Sequence, residues 1–152
     1  MAFRSPIRRR RDGSYTVDLG PNERQLLVSM CDQMRDLLTS GDPSLVRLFP
    51  TPYGDDTERN EGYAALVVPE LTERRLAALE TVRSTAQATQ LTAEELSAWM
   101  RSVNDVRLVL GTILDVDESG TTPSGDQDDA DRYATYEYLG MLLELIVRAM
   151  AK

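Results

Sequence analysis

Arg8, Arg9, Arg10 and Arg11 form an unbroken run near the start of the chain. Guanidinium groups are planar forks of N–H donors that suit carboxylates and phosphates alike, so the run nominates a partner-binding surface. Three readings fit it: a protein partner with an acidic groove, nucleic acid gripped through phosphates, or a solvated edge strand whose charge blocks unwanted pairing. No aromatic or amide side chains are interleaved with the arginines to read bases. The five arginines within the first eleven residues leave 12 basic and 25 acidic residues in the remainder, a body of net −13 that opposes a long polyanion. A protein partner is therefore preferred, with nucleic acid second.

A second group is acidic. Asp115, Asp117, Ser119, Gly120 and Asp126 fall at positions 1, 3, 5, 6 and 12 of the calcium loop of an EF-hand. Position 12 is Asp where the loop needs a bidentate Glu, position 9 is Pro123 and position 8 is the polar Thr122. The expectation is a solvated connector without specific calcium binding, and a carboxylate-loop metal switch or enzyme is the alternative. Histidine is absent, which removes His-based triads, HExxH zinc sites and imidazole switching near neutral pH. Cys31 is the single cysteine, so no internal disulfide or CxxC motif exists. No Gly-rich phosphate loop or GxSxG occurs, and neither an enzyme nor a bound cofactor is expected.

A third group lies inside an apolar stretch, NDVRLVLGTILDV. Asn104, Arg107 and Gly111 recur at i, i+3 and i+7 beside the seam Trp99, Val103, Val106, Leu110 and Ile113. Glu137, Gly140 and Glu144 repeat that spacing near the end of the chain, on a face shared with Tyr133, Tyr136 and Val147. If the two segments are antiparallel helices, facing residue numbers sum to roughly 247 by the 1.5 Å rise. Arg107 then faces Gly140, and a structural polar network of Asn104, Arg107, Glu137 and Glu144 is expected, since buried charges are rarely left unpaired. A small anion site in the core is the functional alternative.

Local patterns supply the elements that hold these groups. In IRRRRDGSYTVDLG, Asp12-Gly13 marks a turn, and Tyr15, Val17 and Leu19 alternate with polar residues, giving a β-hairpin. A three-residue turn with a bulge is favoured because it sets Ile7 opposite Val17 and sends Arg8 and Arg10 to the other face. Helix signals follow at Asn22 to Thr39, with Asn22 and Gln25 in capping-box spacing. Its stripe of Leu26, Leu27, Met30, Cys31, Met34, Leu37 and Leu38 makes Cys31 a buried, inert thiol. A short turn spans Ser44 to Phe49. Glu58 to Val68 and Thr72 to Ala88 are two helical stretches interrupted by Pro69, and Gln87 to Gln90 is a polar linker. Thr92 and Glu95 form a T-x-x-E capping box for a helix reaching Leu114, and a last helix runs from Ala130 to Met150. The expected fold is mainly α: a compact bundle of four or five helices (residues 21–152) with a basic N-terminal β-hairpin (residues 1–20), in one domain.

LGPNERQLLVSMCDQMRDLL, DPSLVRLFP, LTAEELSAWMRSVNDVRLVLGTILDV and YEYLGMLLELIV together resemble, in order, an actinobacterial family known as a domain of unknown function. NDVRLVLG is the most specific part. The resemblance implies a mostly helical cytoplasmic protein, often encoded beside the adaptor for the Clp protease, with a role in oxidative-stress transcription. It brings no established catalytic residues, and one cysteine offers no pair for thiol sensing. The expectation is a non-enzymatic cytoplasmic regulatory module that acts by protein–protein interaction. No apolar run approaches the roughly 18 residues of a membrane span, so no membrane partner is expected, and a homodimer is compatible with the number of helix faces.

Overall fold

The computed structural model describes residues 4–49, 51–114 and 127–152. Two strands, β1 (Ile7–Arg9) and β2 (Tyr15–Val17), form the hairpin, followed by α1 (Pro21–Ser40) and a short 3-10 helix (Pro43–Leu48). Next come α2 (Thr57–Thr85), β3 (Gln90–Leu91), α3 (Ala93–Ile113) and α4 (Gln127–Met150). The protein is mainly helical, with four long helices packed beside a three-stranded antiparallel sheet in the order β1-β2-β3.

The hairpin register is the one that alternation favours. Ile7 pairs with Val17, Arg8 with Thr16 and Arg9 with Tyr15. Gly13 takes the left-handed conformation that the bulged turn requires, and its N–H bonds the Arg10 carbonyl at 3.1 Å. Asp12 accepts from the backbone and hydroxyl of Ser14, which holds its carboxyl below the usual range. Ile7, Tyr15 and Val17 are buried in the same core cluster as Leu27, Cys31, Leu96 and Trp99. The sheet thereby shares its apolar face with the helices.

Three local expectations are corrected. Asn22 does not cap α1; Gly20 occupies that position with no side-chain cap, and Pro21 starts the helix, its missing N–H being one that would be orphaned anyway. Pro69 does not divide the second helical segment: α2 continues through it for 29 residues. Proline forfeits one hydrogen bond and crowds the preceding turn, but flanking turns with good helix formers carry the helix across. The polar linker runs into β3, which begins at its last residue and pairs Tyr15 with Leu91 and Thr16 with Gln90. Two residues of strand carry no readable period.

The capping box forms as expected: Thr92 accepts from the Glu95 N–H, and Glu95 accepts from the Thr92 N–H. α3 is the central helix, touching α2, α4, α1, β3 and the 3-10 helix. Trp99 and Val103 of its seam are fully buried, but Ile113 is 43% exposed. In α4 the buried face is Leu139, Leu142, Ile146 and Ala149, whereas Val147 is 46% exposed. None of the described helices is long and apolar enough to cross a membrane.

Candidate functional site

Arg24 fastens the arginine-bearing hairpin to the bundle. It is 7% exposed and makes no ion pair among the described residues. Its guanidinium donates to the carbonyls of Leu19 at 3.0 Å, Val17 at 3.0 Å, Ala86 at 2.9 Å and Ala88 at 2.7 Å. The first two end β2, and the others lie just beyond α2, where helix-end carbonyls lack partners and the helix dipole is negative. One buried cation thus joins sheet, α1 and α2. Sequence reading passed over it, although Arg24 stands three residues before Leu27 and seven before Cys31, in step with the core stripe.

The hairpin register decides where the arginines point. Arg8 and Arg10 share the outward face with Thr16 and Ser14, while Arg9 shares the inner face with Ile7 and reaches the Lys152 carbonyl oxygen with its guanidinium. β1 therefore packs beside the C-terminal end of α4. Between them runs a groove of about 1060 Å³. Arg4 and Arg8 to Arg11 line one side, Arg148 and Lys152 the other, with Leu145 and Ala149 as apolar floor. Counter-charges are sparse: Asp18 and Asp12 stand 4.0 Å from Arg8 and Arg10, and Glu144 pairs with Arg148 at 2.6 Å. Among the described residues Arg4 and Arg11 make no ion pair. The structure thus adds Arg148 and Lys152 to the four arginines. They are more than 130 positions away in the chain, and no local signal connects them.

The polar stretch of α3 does not assemble into the expected network. The helix register is as calculated: a Cβ on Gly140 would lie 3.3 Å from Arg107 Nε, and one on Gly111 would lie 3.5 Å from Tyr136 Cε2. Yet Glu137 is exposed, and Glu144 turns to Arg148. Arg107 instead lies over the Tyr136 ring, 4.9 Å from its centroid, with Nε buried and unbonded. Asn104 looks toward α2, lining a small cavity with Leu71, Arg75 and Asp105. Asn104 and Arg107 stand only about 60° apart around α3, yet α2 and α4 pack on either side of that stripe, so Asn104 meets α2, Arg107 meets α4, and Glu137 and Glu144 stay exposed.

The buried ion pair of this region is Arg75 with Asp105, at 2.7 Å. Arg75 also donates to the Leu48 carbonyl at 2.7 Å and lies over Phe49, binding α2, α3 and the 3-10 helix together. Burial raises the Asp105 pKa, against the pull of Arg75. The Cys31 thiol is buried, and that burial pushes its pKa up to about 11, the property of an inert core thiol. Asp115, Asp117, Ser119, Gly120 and Asp126 lie outside the described residues.

Set beside known proteins, the chain is similar to the oxidative stress regulator AosR of Mycobacterium tuberculosis strain H37Rv, 32% identical over an alignment that covers 90% of this chain and 83% of the relative. The protein of the same name from Mycobacterium bovis matches to the same extent. No solved structure matches significantly. A family model described as a domain of unknown function, DUF2017, matches residues 3–150, nearly the whole length. The chain belongs to the DUF2017 family.

Proposed function

We propose that this protein is a non-enzymatic cytoplasmic regulator of the oxidative-stress response, acting by docking an acidic protein partner against the groove between the hairpin and α4. The observation that carries the reading is the charge arrangement. A concentrated positive surface stands on a chain whose net charge is −8, and its cations have few anions of their own. Such a surface steers an acidic partner and fixes its orientation. The relatives' designation supplies the biological setting, and the absence of histidine supports a role without acid–base chemistry at neutral pH.

Capture of interacting proteins from a native extract, with and without nuclease, is the test. A salt-sensitive protein partner that survives nuclease is expected. Replacing Arg8, Arg9, Arg10 and Arg11 together by serine should abolish the capture while the protein still melts cooperatively, a little below the natural protein, because exposed surface changes cost at most about 0.5 kcal/mol each and half-buried Arg8 also loses its bond to the Ser5 carbonyl. A partner lost on nuclease treatment, with log affinity for unrelated DNA sequences falling against log salt at a slope of about −3 to −4, would instead establish phosphate binding through the arm.

A further inference from the structure

The hairpin register exposes one peptide of β1. Asp18 N–H bonds the Pro6 carbonyl at 2.8 Å and Arg10 N–H bonds the Ser14 carbonyl at 2.7 Å, so Pro6, Arg8 and Arg10 turn their backbone groups toward β2. Ile7 and Arg9 must then turn theirs away, because backbone polarity alternates along a strand. Among the described residues β1 is the edge of the sheet, in the order β1-β2-β3. Ile7 is served locally: its N–H reaches the Ser5 hydroxyl at 3.3 Å, and that hydroxyl donates to the Ile7 carbonyl at 3.1 Å. The N–H and C=O of Arg9 have no hydrogen-bond partner among the described residues, and Arg9 lines the basic groove.

We infer that the groove takes its partner as an added β-strand, an extended segment of alternating acidic and apolar residues paired through the Arg9 peptide. The inference rests on the reading above, that the groove docks an acidic protein, and specifies the form of the docked segment. Alternation follows from the two faces of β1. Side chains of an added strand next to Arg8 and Arg10 point to the outward face, where carboxylates meet guanidiniums. Their neighbours point to the face of Ile7 and Arg9, where the Arg9 guanidinium is bonded to the Lys152 oxygen and Leu145 and Ala149 of α4 favour apolar groups. A single-stranded nucleic acid offers no peptide groups to such an edge. On this inference the arginines also make the edge selective: they repel basic segments and identical copies of themselves.

The probe is a labelled hexapeptide, (Glu-Val)3, titrated against the full-length protein by fluorescence anisotropy. Two companions carry the test: a peptide of the same composition in blocked order, Val-Val-Val-Glu-Glu-Glu, and (Glu-Val)3 with alternate peptide nitrogens methylated. Binding of the parent at least tenfold tighter than both companions is expected. Equal binding of the three, or none by the parent, overturns strand addition. On the protein side, Arg9→Pro removes the guanidinium together with an N–H that faces away from β2, whereas Arg9→Gln removes the charge and keeps the N–H. The proline variant should bind the parent at least threefold more weakly than the glutamine variant, with an unchanged circular dichroism spectrum; equal binding by the two overturns the inference. If serine at positions 8 to 11 abolishes capture of the cellular partner while the methylated peptide binds as well as its parent, the docking reading stands and strand addition falls. If the serine variant captures the partner normally, both fall.

Discussion

Arg24 illustrates how a buried charge is held without an opposite charge. Its planar fork meets four carbonyls, and each loses that donor if the side chain is removed. At roughly 1–3 kcal/mol for a stranded buried acceptor, with some rehydration, Arg24→Ala should cost about 3–5 kcal/mol in urea unfolding. Arg24→Lys should recover little, because an ammonium point charge cannot span both chain segments. Recovery of most of the loss by lysine would show that charge alone matters there. At Cys31 the pKa is raised from 9.0 to about 11 by burial. Between those values the unfolded chain releases the thiol proton and the native chain retains it, so stability falls as pH rises through that window. Urea midpoints at pH 8 and pH 10 should fall further for the natural protein than for Cys31→Val. An identical fall in both would mean the native thiol ionises as freely as the unfolded one.

At the scale of elements, the α3–α4 pair shows a register legible from spacing beside chemistry that was not. Glycines at 111 and 140 were readable as a close approach, and both do sit where a facing side chain crosses the helix. What crosses at Gly140 is an arginine lying on an aromatic ring, without a carboxylate. Arg107→Ala should therefore cost about 1–2 kcal/mol, the range of a partly desolvated cation–π contact with its stem packing, below the 3–5 kcal/mol expected on breaking a buried ion pair. Gly140→Ala gains up to about 1 kcal/mol of helix propensity but pushes Arg107 aside. The alanine should thus be clearly more favourable in an Arg107→Ala background than alone, which a double-mutant cycle measures. Additivity within about 0.3 kcal/mol would place Arg107 away from Gly140. Pro69 teaches the complementary lesson: a strong local breaker yields when the turns on both sides continue the same helix.

At the scale of the whole molecule, the hairpin is part of the core rather than an appended arm. Ile7, Tyr15 and Val17 are buried against the helices, and Arg24 takes two of its four acceptors from the chain at the end of β2. Burying each large apolar side chain contributes about 1.5–3 kcal/mol, so deleting residues 1–20 should remove more than about 5 kcal/mol and leave the remainder largely unfolded by circular dichroism. A truncated bundle that melts cooperatively near the temperature of the full chain would make the hairpin independent. The mainly helical class, the hairpin register, the Thr92 capping box and the burial of Cys31 were all determined by the sequence itself. Each depends on periodicity or hydrogen bonds within a few residues, where the chain has few alternatives. The tertiary structure alone decided which carbonyls receive Arg24, that Arg75 pairs with Asp105, that Arg107 rests on Tyr136, and that Arg148 and Lys152 complete the basic groove. Those contacts join segments far apart in the chain. Which side chains meet there depends on how whole helices rotate and cross as they pack, and no local spacing rule contains that angle.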